Sequence, residues 1–256
     1  MADKGRKNGP MRLDRFLAEM GYGTRIQVKD MVKKGRVRVN AEAVKDADRK
    51  VNPESDLIEV DRSQVAYARM EYYMLNKPQG VVSATEDRKY PTVVGLIREA
   101  LRKDLFPVGR LDIDTEGLLL ITNDGELAHN LLSPKKHVDK VYRARIEGQV
   151  TAEDAALFAK GLEIDDEDGA WRAMPAKLNI LSSGPESEVE ITIREGKFHQ
   201  IKRMFEAVDK KVVYLKRLSM GSLRMDETLA LGEYRELTED EVQALKESKG
   251  HTNDEE

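Results

Sequence analysis

The chain has 256 residues, 40% apolar and 35% charged, with no cysteine and a formal net charge of −4. That composition belongs to a soluble globular protein with material for a core, and it excludes a disulfide framework and a Cys-ligated zinc. No apolar run reaches membrane-span length and no apolar leader opens the chain, so the sequence predicts a cytoplasmic protein.

The charge is unevenly spread. Residues 1–70 carry 16 Lys and Arg against 11 Asp and Glu, while the remainder carries 27 against 36. A basic unit on an acidic chain points to anion or nucleic-acid binding by that unit. By itself the signal is weak, because most charged faces are merely solvated.

Residues 1–10 are polar and predict a disordered tail. Leu13, Phe16, Leu17 and Met20 then recur on one helical face, and Gly21 and Gly23 stop that helix. Thr24 with Gln27 reads as a capping box opening a second helix, with Val28, Met31 and Val32 inward and Gly35 at its end. Arg25, Lys29 and Lys33 fall at spacings of four and form one basic stripe. Arg36 to Val39 alternates like a half-exposed strand, and 51–60 supplies more strand. Ala41 follows Asn40, so a tight turn there needs Asn40 for any left-handed position. This module spans 11–62, and 63–70 reads as a connector.

The larger domain is expected over 71–245. Residues 71–75 read as a strand running into a turn at 76–80, where Lys77 is either a plain turn lysine or an RNA-phosphate contact. Pro91 fits the first turn of a helix through about Lys103, with Val94, Ile97 and Leu101 buried. A strand at 105–108, a polar loop and a second strand at 118–121 follow. The loop packs Arg110, Asp112, Asp114 and Glu116 into seven residues. Loop acids mostly bond nearby amides, and the spacing is not that of a calcium loop. A carboxylate pointing into a cleft would need a cation to stay ionised.

A short helix is expected over 126–132, then a basic loop at Lys135 and Lys136. Residues 140–146 alternate as a strand, with Tyr142 facing away from its charged neighbours; such a tyrosine is most often core. Thr151 with Asp154 opens another helix, Asp165 to Asp168 form an exposed acidic loop, and 189–193 is a clean strand. The stretch from Arg194 to Phe205 opens a helix burying Ile201, Met204 and Phe205, in which Lys197, Lys202 and Arg203 oppose the dipole. That conflict suggests a task elsewhere, on RNA phosphate or a buried carboxylate. Strands near 212–215 and 229–234, a helix capped by Thr238 and Glu241, and an acidic disordered tail at 246–256 close the chain.

Two resemblances sharpen this reading. MRLDRFLAEMGYGTR and KKGRVRVN resemble the S4 RNA-binding domain, which implies RNA contacts by Arg12, Arg15, Arg25, Lys29, Lys33, Arg36 and Arg38. GRLDIDTEGLLLITNDG, the Lys77-Pro78-x-Gly80 turn and EGKFHQIKRM resemble the ribosomal RNA pseudouridine synthases of the RsuA family, small-subunit branch. The implied fold is α+β: a small S4-like α/β domain, then a mixed, mostly antiparallel sheet flanked by helices around a central catalytic cleft. The implied activity is isomerisation of one uridine of 16S ribosomal RNA, the uridine-516 site by the family pattern.

The resemblance makes Asp112 the catalytic carboxylate, Tyr142 the active-site tyrosine and Lys202 the cation paired with Asp112. It also implies that Ile201 packs near the uracil, and Arg110, Lys77, Lys197 and Arg203 are expected among the RNA contacts. Three roles stay open for Asp112: attacking the sugar, stabilising an oxocarbenium-like species or taking the C2′ proton. Nothing is oxidised and nothing leaves, so the implied chemistry calls for no cofactor and no metal. The implied partner is ribosomal RNA or a small-subunit assembly intermediate, met by a monomer. Three alternatives stand beside it: the same chemistry on 23S RNA, a non-catalytic S4-type RNA-binding or assembly factor, and a carboxylate-pair glycosidase using Asp112 with Asp114 or Glu116.

Overall fold

The computed structural model describes residues 10–67, 70–165 and 169–247. The expected N-terminal tail up to residue 9, residues 68–69 of the connector, the acidic 166–168 and the tail from 248 lie outside the described residues. Contacts divide the chain into two units: Met1–Glu71 with Glu99–Leu105, and Tyr72–Arg98 with Phe106–Glu256. Among the described residues no helix is long and apolar enough to cross a membrane.

In the first unit, β1 (Met11–Arg12) leads into α1 (Leu13–Glu19) and α2 (Arg25–Lys33). Both bonds of the Thr24–Gln27 capping box form, so two side-chain oxygens accept from backbone donors that a helix start otherwise leaves unpaired. Gly21 and Gly35, at φ +85° and +71°, take the left-handed positions that end the two helices. The strands β2 (Val37–Val39), β3 (Glu42–Ala43), β5 (Ile58–Val60) and β6 (Ser63–Gln64) form a sheet in the order β3-β2-β5-β6, while β4 (Lys50–Val51) pairs with β1. Leu13, Phe16, Leu17, Val28, Val32, Val37 and Ile58 close the core between helices and sheet.

The β2–β3 turn places both Asn40 (φ 52°) and Ala41 (φ 66°) in the left-handed region. Asn40 carries its share: its Oδ1 accepts the Leu57 amide at 2.9 Å, and its Nδ2 donates to Asp56 at 3.0 Å. Ala41 has no such compensation and bears the Cβ penalty of that region. Ala41→Gly is therefore expected to stabilise this unit by about 0.5–1 kcal/mol, after allowing for the looser unfolded chain, as read by urea denaturation.

The helix expected from Pro91 to Lys103 is reduced to α3 (Val93–Leu96), with Thr92 as its cap. Beyond it a side chain takes the backbone donors: Glu71 accepts from the amides of Leu101 and Arg102, at 3.0 and 2.8 Å. Arg102, 6% exposed, pairs with Glu19 and Asp104. These bonds hold Glu99–Leu105 in the first unit, and Leu101 is exposed rather than buried.

The second unit is built on one mixed sheet. Its strands are β7 (Tyr72–Lys77), β8 (Phe106–Pro107), β9 (Glu116–Thr122), β10 (Lys140–Glu147), β13 (Lys177–Ser182), β14 (Glu186–Ile193), β15 (Lys211–Met220), β16 (Leu223–Arg224) and β17 (Tyr234–Glu236). Their order is β13-β14-β10-β15-β9-β7-β17, with β16 on β15 and β8 on β9, and every pairing is antiparallel except β9 with β15. A small separate hairpin joins β11 (Glu163–Ile164) to β12 (Trp171–Arg172). The strand expected over 229–234 is mostly a turn, with Gly232 at φ +86° and the Glu233 amide bonded to Ala230 O.

The helices are α4 (Gly125–Leu132), α5 (Ala152–Lys160), α6 (Gln200–Glu206) and α7 (Glu239–Glu247). Asp124 caps α4 through the Leu127 amide, and Thr151 with Asp154 forms a second capping box on α5. Helices α5 and α6 meet through Phe158 and Phe205, ring centroids 4.9 Å apart. The α+β class and the mostly antiparallel sheet agree with expectation.

Candidate active site

The loop from Gly109 to Thr115 stands ahead of β9, and its shape is set from beneath. Ser83 Oγ both donates to Leu111 O and accepts from Leu111 N, at 2.8 and 3.0 Å. The Gly80 amide bonds Ile113 O, and the Thr115 amide closes a turn on Asp112 O. Lys77 lies under the loop, fully buried, with Nζ donating to Thr115 O at 2.8 Å and Pro78 O at 3.0 Å. Both expectations for Lys77 are thereby corrected. An ammonium walled off from solvent anchors the loop and does not reach an RNA phosphate.

Gly117 sets how near this loop comes to the other half of the sheet. At φ +99° it faces Arg217 across the parallel β9–β15 pair, where an added Cβ would lie 2.3 Å from Arg217 O. That approach brings Asp112 toward residues from three other elements. Tyr142 comes from β10, paired with Ile191 and Arg217; Leu215 comes from β15; Ile201 and Lys202 come from the first turn of α6. Together with Arg110, Leu111, Thr115, Ile193, Gly196, Lys197, His199 and Gln200 they line one cleft. Tyr142 and Ile201 are buried in its wall and Arg110 is exposed at its rim.

Lys202 is shared by two carboxylates. Its Nζ lies 2.7 and 2.9 Å from the oxygens of Asp114 and 3.3 Å from Asp112 Oδ2. The expected Asp112–Lys202 pair is present, but Asp114 holds the closer bond. Burial pulls the ammonium down, yet the Asp114 hydrogen bond and both negative charges outweigh it, leaving Lys202 above its ordinary pKa. Burial likewise pushes Asp114 up, but Lys202 overrides it and holds that carboxyl below its usual value. The first turn of α6 tolerates Lys202 because two acids face it.

The turn before α6 is braced by Gln200, whose amide donates to Glu195 at 2.6 Å and accepts from Lys197 N at 2.9 Å. Since α6 starts at Gln200, Lys197 precedes the helix and Arg203 lies in its last turn; only Lys202 opposes the dipole. Lys197 lies over the Trp171 ring at 3.7 Å, and Arg203 over Phe198 at 5.3 Å. His199 was missed. It takes a left-handed conformation (φ 52°), stacks on Phe198 and puts Nε2 3.7 Å from Asp112 Oδ1. Only its place three residues before Lys202 could have drawn attention to it.

Glu116 is not a second acid for the cleft. It accepts from Tyr214 OH at 2.9 Å, and burial followed by that bond pushes Tyr214 up to about 12. With Glu116 so bound and Asp114 held by Lys202, the carboxylate-pair reading loses both of its candidate partners.

Two buried lysines carry a pH signature. Burial lowers Lys77 to about 8 against the attraction of Asp114, Asp112 and Glu116, and lowers Lys140 to about 8 with the help of Arg217. Their unfolded values are 10.5. The unfolded chain thus binds more protons between these limits, so their contribution makes stability rise from pH 8 to 10.5. Unfolding near pH 9 is expected to take up about two protons through them. Calorimetry in buffers of different ionisation enthalpy measures that uptake, and replacing both lysines with Met should abolish their share.

In the first unit, Arg25, Lys29 and Lys33 are exposed along α2. Among the described residues Arg25 and Lys33 form no ion pair, and Lys29 lies only loosely on Asp48 at 3.6 Å. The others are engaged within the unit: Arg12 with Asp14 and Asp48, Arg15 with Glu19, Arg36 with Asp61, and Arg38 with the Ala41 carbonyl.

Comparison with known proteins agrees with this architecture. The family model described as RNA pseudouridylate synthase matches residues 71–207, and that of the S4 domain matches 11–58. An uncharacterized RNA pseudouridine synthase of Bacillus subtilis is 49% identical, over 93% of this chain and 99% of its own. The ribosomal small subunit pseudouridine synthase A of Escherichia coli is 39% identical, over 92% of this chain and 100% of its own. A crystal structure of a pseudouridylate synthase, 38% identical, superposes with a TM-score of 0.64 over 92% of this chain and 99% of its own. With its two-unit build and these matches along nearly its whole length, the chain belongs to the RNA pseudouridylate synthase family and carries an N-terminal S4 domain.

Proposed function

We propose that this synthase converts one uridine of small-subunit ribosomal RNA to pseudouridine, at the uridine-516 site by the family pattern, with Asp112 as the catalytic carboxylate. The observation that carries the reading is convergence. Asp112, Tyr142, Ile201 and Lys202 lie far apart in sequence yet line one cleft. Relatives named for the small ribosomal subunit, 39–40% identical over at least 99% of their own length, support the choice of RNA.

Each group has a physical task. The target uridine must leave its stack, at a cost of about a few kcal/mol, and the buried face of Tyr142 and Ile201 receives the base. Asp112 then acts at the sugar, with Lys202 supplying counter-charge in a site where water is scarce. Lys202 touches both acids, so it faces Asp112 while Asp114 holds it in place. Arg110 and Lys197 at the cleft, with Arg203 further along α6, hold the strand on either side of the base. On the first unit, the phosphate contacts fall to Arg25, Lys29 and Lys33, whose charges are least neutralised.

The test is pseudouridine mapping of ribosomal RNA, by carbodiimide primer extension, in cells lacking the protein and in cells given it back. One small-subunit site should vanish and return. Loss of a large-subunit site instead would overturn the choice of RNA, and no loss in either subunit would favour a non-catalytic binding factor.

A further inference from the structure

Among the described residues, four buried side-chain atoms lack a hydrogen-bond partner: Asn76 Oδ1, Thr115 Oγ1, His137 Nδ1 and Arg217 Nη2. Of the four residues, Thr115 is the one that lines the cleft. It is 1% exposed and sits three residues after Asp112, in the turn that the two share. Its backbone is fully used. The amide donates to Asp112 O at 3.0 Å, and the carbonyl accepts from Lys77 Nζ at 2.8 Å. The hydroxyl alone is left over. A buried hydroxyl without a partner lowers stability, and a valine would fill the same space without that cost. The position therefore keeps a group that the folded chain by itself does not need.

We propose that Thr115 Oγ1 is a substrate-binding hydroxyl, which hydrogen-bonds a polar group of the flipped uridine in the cleft. The inference rests on the reading of the cleft given under Proposed function. A hydroxyl donates one hydrogen bond and accepts others, and it can re-aim by rotation without moving a heavy atom. That property suits a base that must be released, turned and rejoined beside Asp112. The same hydroxyl could meet either a uracil carbonyl or the ribose 2′-hydroxyl, so the experiment must separate the two.

Wild type, Thr115→Val and Thr115→Ser are compared for melting temperature and for kcat/KM on small-subunit ribosomal RNA. Thr115→Val should melt at the wild-type temperature or above while kcat/KM falls about tenfold, the scale of one lost hydrogen bond. Thr115→Ser should restore activity. The partner is then read from RNA affinity in the Asp112→Asn background, which needs no turnover. The Thr115→Val penalty should vanish on 2′-deoxyuridine if the ribose is the partner, or on 2-thiouridine or 4-thiouridine if a base carbonyl is. Wild-type kcat/KM in Thr115→Val overturns the proposal. So does activity lost in step with melting temperature and not rescued by serine, or a penalty unchanged on all three analogues. If wild type itself forms no pseudouridine, the functional reading fails and takes this inference with it; equal rates in wild type and Thr115→Val sink this inference alone.

Discussion

Asp112→Asn is expected to lower the rate of pseudouridine formation by on the order of 10⁴-fold or more, the scale seen when a group that acts on the reacting atoms is removed. RNA affinity should stay within about twofold, because the cations assigned to phosphate lie elsewhere. The fold should barely notice. Lys202 keeps its bonds to Asp114 at 2.7 and 2.9 Å and loses only the 3.3 Å contact to Asp112. That contact is partly exposed to solvent, so its loss costs less than about 1 kcal/mol. Primer extension, filter binding and thermal melting measure the three quantities. Retention of a tenth of the rate would remove Asp112 from the chemistry; a large drop in melting temperature would make it structural.

Gly117→Ala is expected to do the opposite: a large loss of stability from a residue that touches no substrate. The new Cβ would lie 2.3 Å from Arg217 O and 2.9 Å from Arg217 N, both backbone atoms that cannot swing aside, at a φ of +99°. Strand β9 must then back away from β15 at the sheet's parallel pairing. A clash of this kind with a strained backbone costs about 2–4 kcal/mol. Activity should fall as well, since the same approach brings Asp112 to Tyr142 and Lys202. Urea denaturation and single-turnover rates check both. An alanine variant with wild-type stability would mean that the β9–β15 approach is slack and that the cleft is held by other contacts.

Local signals were legible wherever the chemistry is local. Both capping boxes, at Thr24–Gln27 and Thr151–Asp154, form as their spacing predicts, because each needs only four consecutive residues. The alternating runs became β10 and β14, because one buried face imposes a period of two. The helix through Lys103 failed for a non-local reason: Glu71, about 30 residues earlier, takes the amides of Leu101 and Arg102. The burial of Lys77 is non-local in the same way, since its partner is a carbonyl 38 residues away.

By itself the sequence showed the basic stripe on α2, a basic module ahead of a larger domain and, through its motifs, the family and the candidates Asp112, Tyr142 and Lys202. Those are matters of residue type and short spacing. The tertiary structure alone decided how Lys202 is divided between Asp112 and Asp114, that Lys77 points inward, that His199 faces Asp112 and that the Thr115 hydroxyl is left without a partner. Each of these depends on which strands lie side by side. For the cleft, β9 meets β15 at Gly117, where a side chain would strike the Arg217 backbone, and a sequence pattern does not show which backbone lies opposite.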